Sequence, residues 1–126
     1  MNIQIKSLNK KNMRYPTAGD YYWKGPKLRF DICKQVNNDY EFLILMHELT
    51  EEYITRKRGI TEQEIMDFDL LYEKEREEGL HSESDEPGHD LRAPYRQEHI
   101  FAECIERMLA YELGIDWMTY EKDIIS

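Results

Sequence analysis

The residues with the greatest chemical capacity lie in the segment Met46-His47-Glu48-Leu49-Thr50-Glu51-Glu52. On a helix, positions four apart emerge from one face about a turn apart, so His47 and Glu51 can grip a single cation. Glu48 is turned by about 100° from His47 and reaches a water bound to that cation. This pattern suits metal-assisted hydrolysis, with His47 and Glu51 as ligands and Glu48 as general base. Further along, His99 and Glu103 repeat the four-residue spacing, and Glu106 lies on the same side. If the two helices pack along those sides, His47, Glu51 and His99 supply two imidazoles and a carboxylate, a set used in catalytic zinc sites. Glu103 or Glu106 then orients an imidazole from behind. His89, His81 or Glu103 are the alternatives to His99 as third ligand. A mixed nitrogen and oxygen set accepts zinc, and also iron, manganese or nickel.

These side chains need rigid elements to hold them. Asn38 followed by Glu41 opens a helix over 38–58, which closes in Arg56-Lys57-Arg58-Gly59. Phe42, Met46, Leu49 and Tyr53 form one apolar stripe on it, and Tyr40, Leu43, Ile44 and Ile54 a second. A helix apolar on two sides lies between layers. His47 and Glu51 fall within the second stripe, where polar groups must find partners. A second helix over 61–78 starts at Thr61 with Glu64 in the reciprocal position, and a third spans 95–113. On the third, His99, Glu103 and Glu106 share one side, bordered by Ala102 and Ala110. Phe101, Cys104, Ile105 and Met108 share the other, which is expected to face the core. The loop of about fifteen residues between these helices, Leu80 to Pro94, is long for a small domain and suits a lid.

Residues 1–36 read as strands and a hairpin. Ile3, Ile5 and Leu8 mark one face of a first strand. Leu28, Phe30 and Ile32 alternate with charged residues after the turn at Lys24-Gly25-Pro26, giving a hairpin over 20–33. Tyr21-Tyr22-Trp23 is expected to pack on the sheet. The tail Ile115–Ile125, with Trp117 and Tyr120, docks as a last short turn. The fold class is therefore α+β, a single domain over 1–126 with a small N-terminal antiparallel sheet packed on a three-helix bundle.

A His-Glu-x-x-His helix preceded by an N-terminal sheet is the core of zincin-type metallopeptidases. Residues 20–58 resemble that core, with Glu51 where the second histidine would stand; minimal zincin-like domains of about this length occur in bacteria and phages. The resemblance implies a zincin-like metal-dependent hydrolase acting on peptides or proteins. A second resemblance uses Glu48-x-x-Glu51 and Glu103-x-x-Glu106. Two such carboxylate pairs on separate helices are similar to the Mg²⁺-binding pairs of all-α nucleoside triphosphate pyrophosphohydrolases. The third reading is a non-catalytic interaction module whose histidine–carboxylate pairs tie the helices together.

Composition narrows the partners. The 126 residues carry a net charge of -9, distributed as +4 over 1–60, -9 over 61–86 and -4 over 87–126. Such an acidic balance disfavours phosphate backbones and anionic membranes, so neither nucleic acid nor membrane is an expected partner. No apolar run approaches the roughly 18 residues that span a bilayer. With only Cys33 and Cys104 there is no disulfide framework, and a cytoplasmic protein is expected. Cys104 is assigned to core packing, while Glu52, Arg56, Lys57, Asp67 and Asp69 are assigned to solvated helix surface.

Overall fold

The computed structural model describes residues 1–124, so Ile125 of the expected tail lies outside the described residues. The chain is α+β, and its described residues form three strands followed by four α-helices. Strands β1 (Ile3–Leu8), β2 (Gly19–Lys24) and β3 (Lys27–Cys33) precede α1 (Asn38–Lys57), α2 (Glu62–Glu77), α3 (Arg96–Glu112) and α4 (Trp117–Ile124). Among the described residues, no helix is long and apolar enough to cross a membrane.

The sheet is mixed rather than antiparallel. β2 and β3 form the expected hairpin, with Tyr21 opposite Phe30, but β1 pairs with β3 in parallel, with Ile5 opposite Phe30. The strand order is β1-β3-β2. The long connection over 9–18 carries the chain past β3 before the hairpin begins, which leaves β1 and β3 pointing the same way. Alternation along a strand fixes which residues share a face but not which neighbour the strand takes. β1 is an edge strand, and its Ile3 and Ile5 are exposed while Leu8 is half-buried.

Helix α1 is capped by Asn37, one residue before the expected Asn38. The Asn37 side chain accepts from the Tyr40 backbone N–H at 2.8 Å, and Glu41 instead accepts from the Ser7 hydroxyl and the Gln35 backbone. One face of α1 is buried, and its character changes along its length. Tyr40, Leu43 and Ile44 form the first half, and His47, Glu51 and Thr55 the second. The stripe of Phe42 and Tyr53 is largely open to solvent. The apolar half joins Ile32, Ala110 and Tyr120 in the main core, where sheet, α1, α3 and α4 meet. Phe68, Tyr72, Ala93 and Tyr95 make a smaller core beneath α2 and the loop.

Helix α3 turns its polar side to α1, as the site reading required, and leaves open the side expected to face the core. Its buried face carries Glu98, Ala102, Glu106 and Ala110, while Phe101 and Met108 are exposed. Cys104 is also exposed and does not belong to the core; Cys33 is buried, and both are free thiols. Ala102 and Ala110, fully buried, let α1 and α3 approach closely, so the polar half of α1 faces the polar side of α3. Apolar burial normally decides which side of a helix turns inward. Here the inward carboxylates have partners that offset their desolvation.

Candidate metal centre

Helical spacing on α1 brings His47 and Glu51 to one side, and α3 delivers His99 to the same point. His47 Nε2 lies 3.0 Å from Glu51 Oε2 and 3.1 Å from His99 Nδ1, and His99 Nδ1 lies 2.9 Å from Glu51 Oε2. Three donor atoms thus stand at the corners of a nearly equilateral triangle. An ion about 2 Å from each nitrogen and oxygen, the usual zinc distance, caps such a triangle. All three sequence-selected ligands are therefore together.

The ligands are held from behind. Glu106 Oε1 lies 2.7 Å from His47 Nδ1, and the Tyr120 hydroxyl of α4 donates to Glu106 Oε2. Tyr120 is fully buried and packs edge-on against Tyr40. The Tyr21 hydroxyl of β2 donates to Glu51 Oε1 at 2.8 Å, leaving Oε2 for the imidazoles. Burial alone would lower the His47 pKa, but hydrogen bonds to Glu106 and Glu51 outweigh it and hold the ring well above its usual value. His99 follows the same pattern: burial lowers it, and Glu51 and Glu86 raise it to about 9. Those imidazoles in turn hold the Glu51 carboxyl far below the normal carboxylate range, against the opposing effect of burial.

Glu48 sits beside this triangle, under β2. A Cβ at Gly19 would lie 2.7 Å from Glu48 Cγ and 2.8 Å from Glu48 Oε1, so only glycine lets the strand pass this close. Burial, followed by the charge of Glu51, pushes the Glu48 carboxyl up to about 8. The Tyr95 hydroxyl donates to Asp69 at 2.5 Å, and the Tyr95 ring lies 6.2 Å from that of His99. Asp69, expected on solvated surface, is half-buried, and burial pushes it up to about 6. Glu52 is likewise buried, covered by Arg56, which donates to both of its oxygens.

The remaining histidines separate. His81 stacks on Tyr72 with centroids 3.9 Å apart and pairs with Glu75, away from the triangle. His89 lies close, its ring 5.2 Å from that of His99, and pairs with Glu103 at 2.6 Å. Glu103 thus serves His89, and Glu106 is the carboxylate behind a ligand. The two E-x-x-E pairs do not pool their carboxylates: Glu48 lies under Gly19, Glu51 faces the imidazoles, Glu103 faces His89 and Glu106 faces His47. Tyr21, Tyr120, Gly19 and the Asp69–Tyr95 pair escaped the sequence reading. Only Gly19, at the start of a strand, carried a signal, since glycine in a strand marks close backbone approach.

Comparison with protein families, curated proteins and solved structures finds no match to this chain.

Proposed function

We propose that this protein is a metal-dependent hydrolase of zincin-like type acting on peptides, in which His47, Glu51 and His99 hold zinc or another divalent transition ion. The observation that carries the reading is the donor triangle, with edges of 2.9–3.1 Å. Two imidazoles and a carboxylate match a catalytic zinc set, and a buried carboxylate braces one imidazole as metal-ligating histidines require. When bound, such an ion supplies a water acidic near neutral pH and polarises a carbonyl oxygen. Burial keeps the Glu48 carboxyl largely protonated near neutral pH in the metal-free protein. The charge of a bound ion would draw that proton off, and Glu48 would then accept the proton of the attacking water and return it to the leaving amine. Glu106 and Tyr120 fix the ring of His47, and Tyr21 fixes Glu51.

Peptide substrates are favoured by the surroundings. Tyr21 also lines a groove of about 300 Å³ together with Trp23, Thr55, Arg56, Ile60 and Ile65, which offers apolar surface beside the site. The separate engagement of the four E-x-x-E carboxylates favours this reading over a Mg²⁺-dependent pyrophosphohydrolase, which needs oxygen ligands gathered on one ion. Free thiols and the acidic composition accord with a cytoplasmic setting.

The test is hydrolysis of an unstructured polypeptide by zinc-loaded protein, alongside Glu48→Gln. The variant should lose about 10²–10⁴-fold in turnover while its metal content is unchanged. Loss of the metal in that variant would show that Glu48, not its neighbours, is a ligand. No cleavage by the loaded wild type would leave a metal-stabilised interaction module.

A further inference from the structure

A second group of donors lies on the outer side of His99. We propose that Glu86, His89 and Glu103, together with His99, form a separate divalent transition-metal site, weaker than the inner one, that fastens the 80–94 loop over His99.

The geometry repeats the inner arrangement. His99 and Glu103 are one helical turn apart on α3, as His47 and Glu51 are on α1. The short turn Pro87–His89 sets Glu86 and His89 on the same side of the loop and aims both at α3. His89 Nε2 lies 2.6 Å from Glu103 Oε2 and 3.2 Å from Glu86 Oε2, so one nitrogen faces two carboxylates. His99 turns Nδ1 to the inner triangle and Nε2 outward. That Nε2 is buried and has no hydrogen-bond partner among the described residues; Glu86 Oε2 lies 3.7 Å away, beyond bonding distance. One donor atom from each of Glu86, His89, His99 and Glu103 falls within 4.8 Å of the others. A cation among them meets every one of these donors, including the orphaned nitrogen.

The loop is shaped for this before any ion arrives. Arg92 donates to both Glu75 oxygens, and Arg76 donates to the Ser82 and Asp85 carbonyls, which fix both ends of the loop to α2. Gly88 lies flat on the His99 ring, where an added Cβ would stand 2.4 Å from the ring carbons. The outer site is open to water, with Glu86 and His89 side chains 42% and 44% exposed. Two nitrogens and two carboxylates suit zinc, manganese, iron or cobalt, and the open setting makes exchange fast. Glu86, His89 and Glu103 are three ligands without His99. If both ions bind at once and His99 bridges them, its ring loses the second N–H proton to solvent.

The site does not depend on the hydrolase reading, and the test separates the two. Chelator-treated protein, dialysed free of chelator, is titrated with Co²⁺ and followed by calorimetry and visible absorption. Wild type should take up two ions per chain, one tight and one weak. His89→Ala and Glu86→Gln, both at half-exposed positions that tolerate change, should each weaken only the second ion, by about tenfold or more. His47→Ala should lose the tight ion and keep the weak one. If His47→Ala changes nothing while His89→Ala loses an ion, the outer site stands and the inner one fails. A single ion in wild type that His89→Ala leaves in place, or two ions with unchanged affinity in the double variant lacking both His89 and Glu86, overturns the proposal.

Discussion

His47 and His89 each face two carboxylates, yet the structure builds the two surroundings by different means. Around His47 every ligand comes from a helix, and every ligand but one is braced: Glu106 holds His47, Tyr120 holds Glu106, and Tyr21 holds Glu51. Around His89 two of the donors come from a loop, and the brace found among the described residues is Arg107, which donates to Glu103 at 3.1 Å. Of the inner donors His47 and Glu51 are buried and the His99 side chain is only 13% exposed, whereas the loop donors are nearly half exposed. Preorganised, dry ligands bind an ion without paying again for ordering side chains, and exposed ones compete with water. The inner cluster is suited to hold an ion permanently and the outer to exchange it.

The sharpest way to break this contrast is His47→Ala. It removes an inner donor outright, and zinc affinity at the inner site should fall by more than the roughly 100-fold that loss of a supporting partner can cost. Competition with a chromophoric chelator reads this directly, and unchanged affinity would mean that the braces hold nothing. Glu106→Gln keeps the shape and removes the charge behind His47. It should cost about 10–100-fold in zinc affinity by the same measurement, with little effect on the outer ion. Gly88→Ala acts on the other side, because its Cβ would meet the His99 ring at 2.4 Å and force the loop to lift. We expect it to lower stability by about 1–3 kcal/mol on thermal denaturation and to weaken the outer ion, while the inner affinity shifts less.

The smallest effect concerns the anchor of the loop. Hydrogen bonds from Arg92 and His81 hold the Glu75 carboxyl at about 2, below its ordinary 4.5. A depressed carboxylate contributes stability that is fully present above 4.5 and disappears as pH falls towards 2. Amide exchange of residues 80–94, corrected for its intrinsic rate, should therefore accelerate modestly between pH 5 and pH 2.5. Glu75→Gln should show that faster exchange already at pH 5. Equal protection in both proteins would detach Glu75 from the loop's order.

How far the site was readable in the sequence follows from the same contrast. His47 with Glu51, and His99 with Glu103 and Glu106, could be grouped because helical spacing is rigid and local. Their convergence needed only that α1 and α3 pack closely, which Ala102 and Ala110 announced. Tyr21 and Tyr120 could not be found this way, since each reaches the site from an element whose docking depends on the whole core. The exposed Phe101, Cys104 and Met108 mark the part of α3 that the apolar pattern misplaces. Its carboxylates and His99 face inward because partners await them there, and a hydrophobicity pattern contains no record of those partners. The parallel pairing of β1 was hidden for a related reason, as alternation says nothing of neighbour order.

The central claim is that imidazoles from α1 and α3 share one ion. X-ray absorption at the zinc edge, on wild-type protein loaded with one zinc per chain, tests it most directly. The expected spectrum shows nitrogen and oxygen neighbours at about 2.0–2.1 Å with the outer-ring scattering of two imidazoles, falling to one in His99→Ala. A shell of oxygen neighbours with no imidazole scattering would contradict the claim.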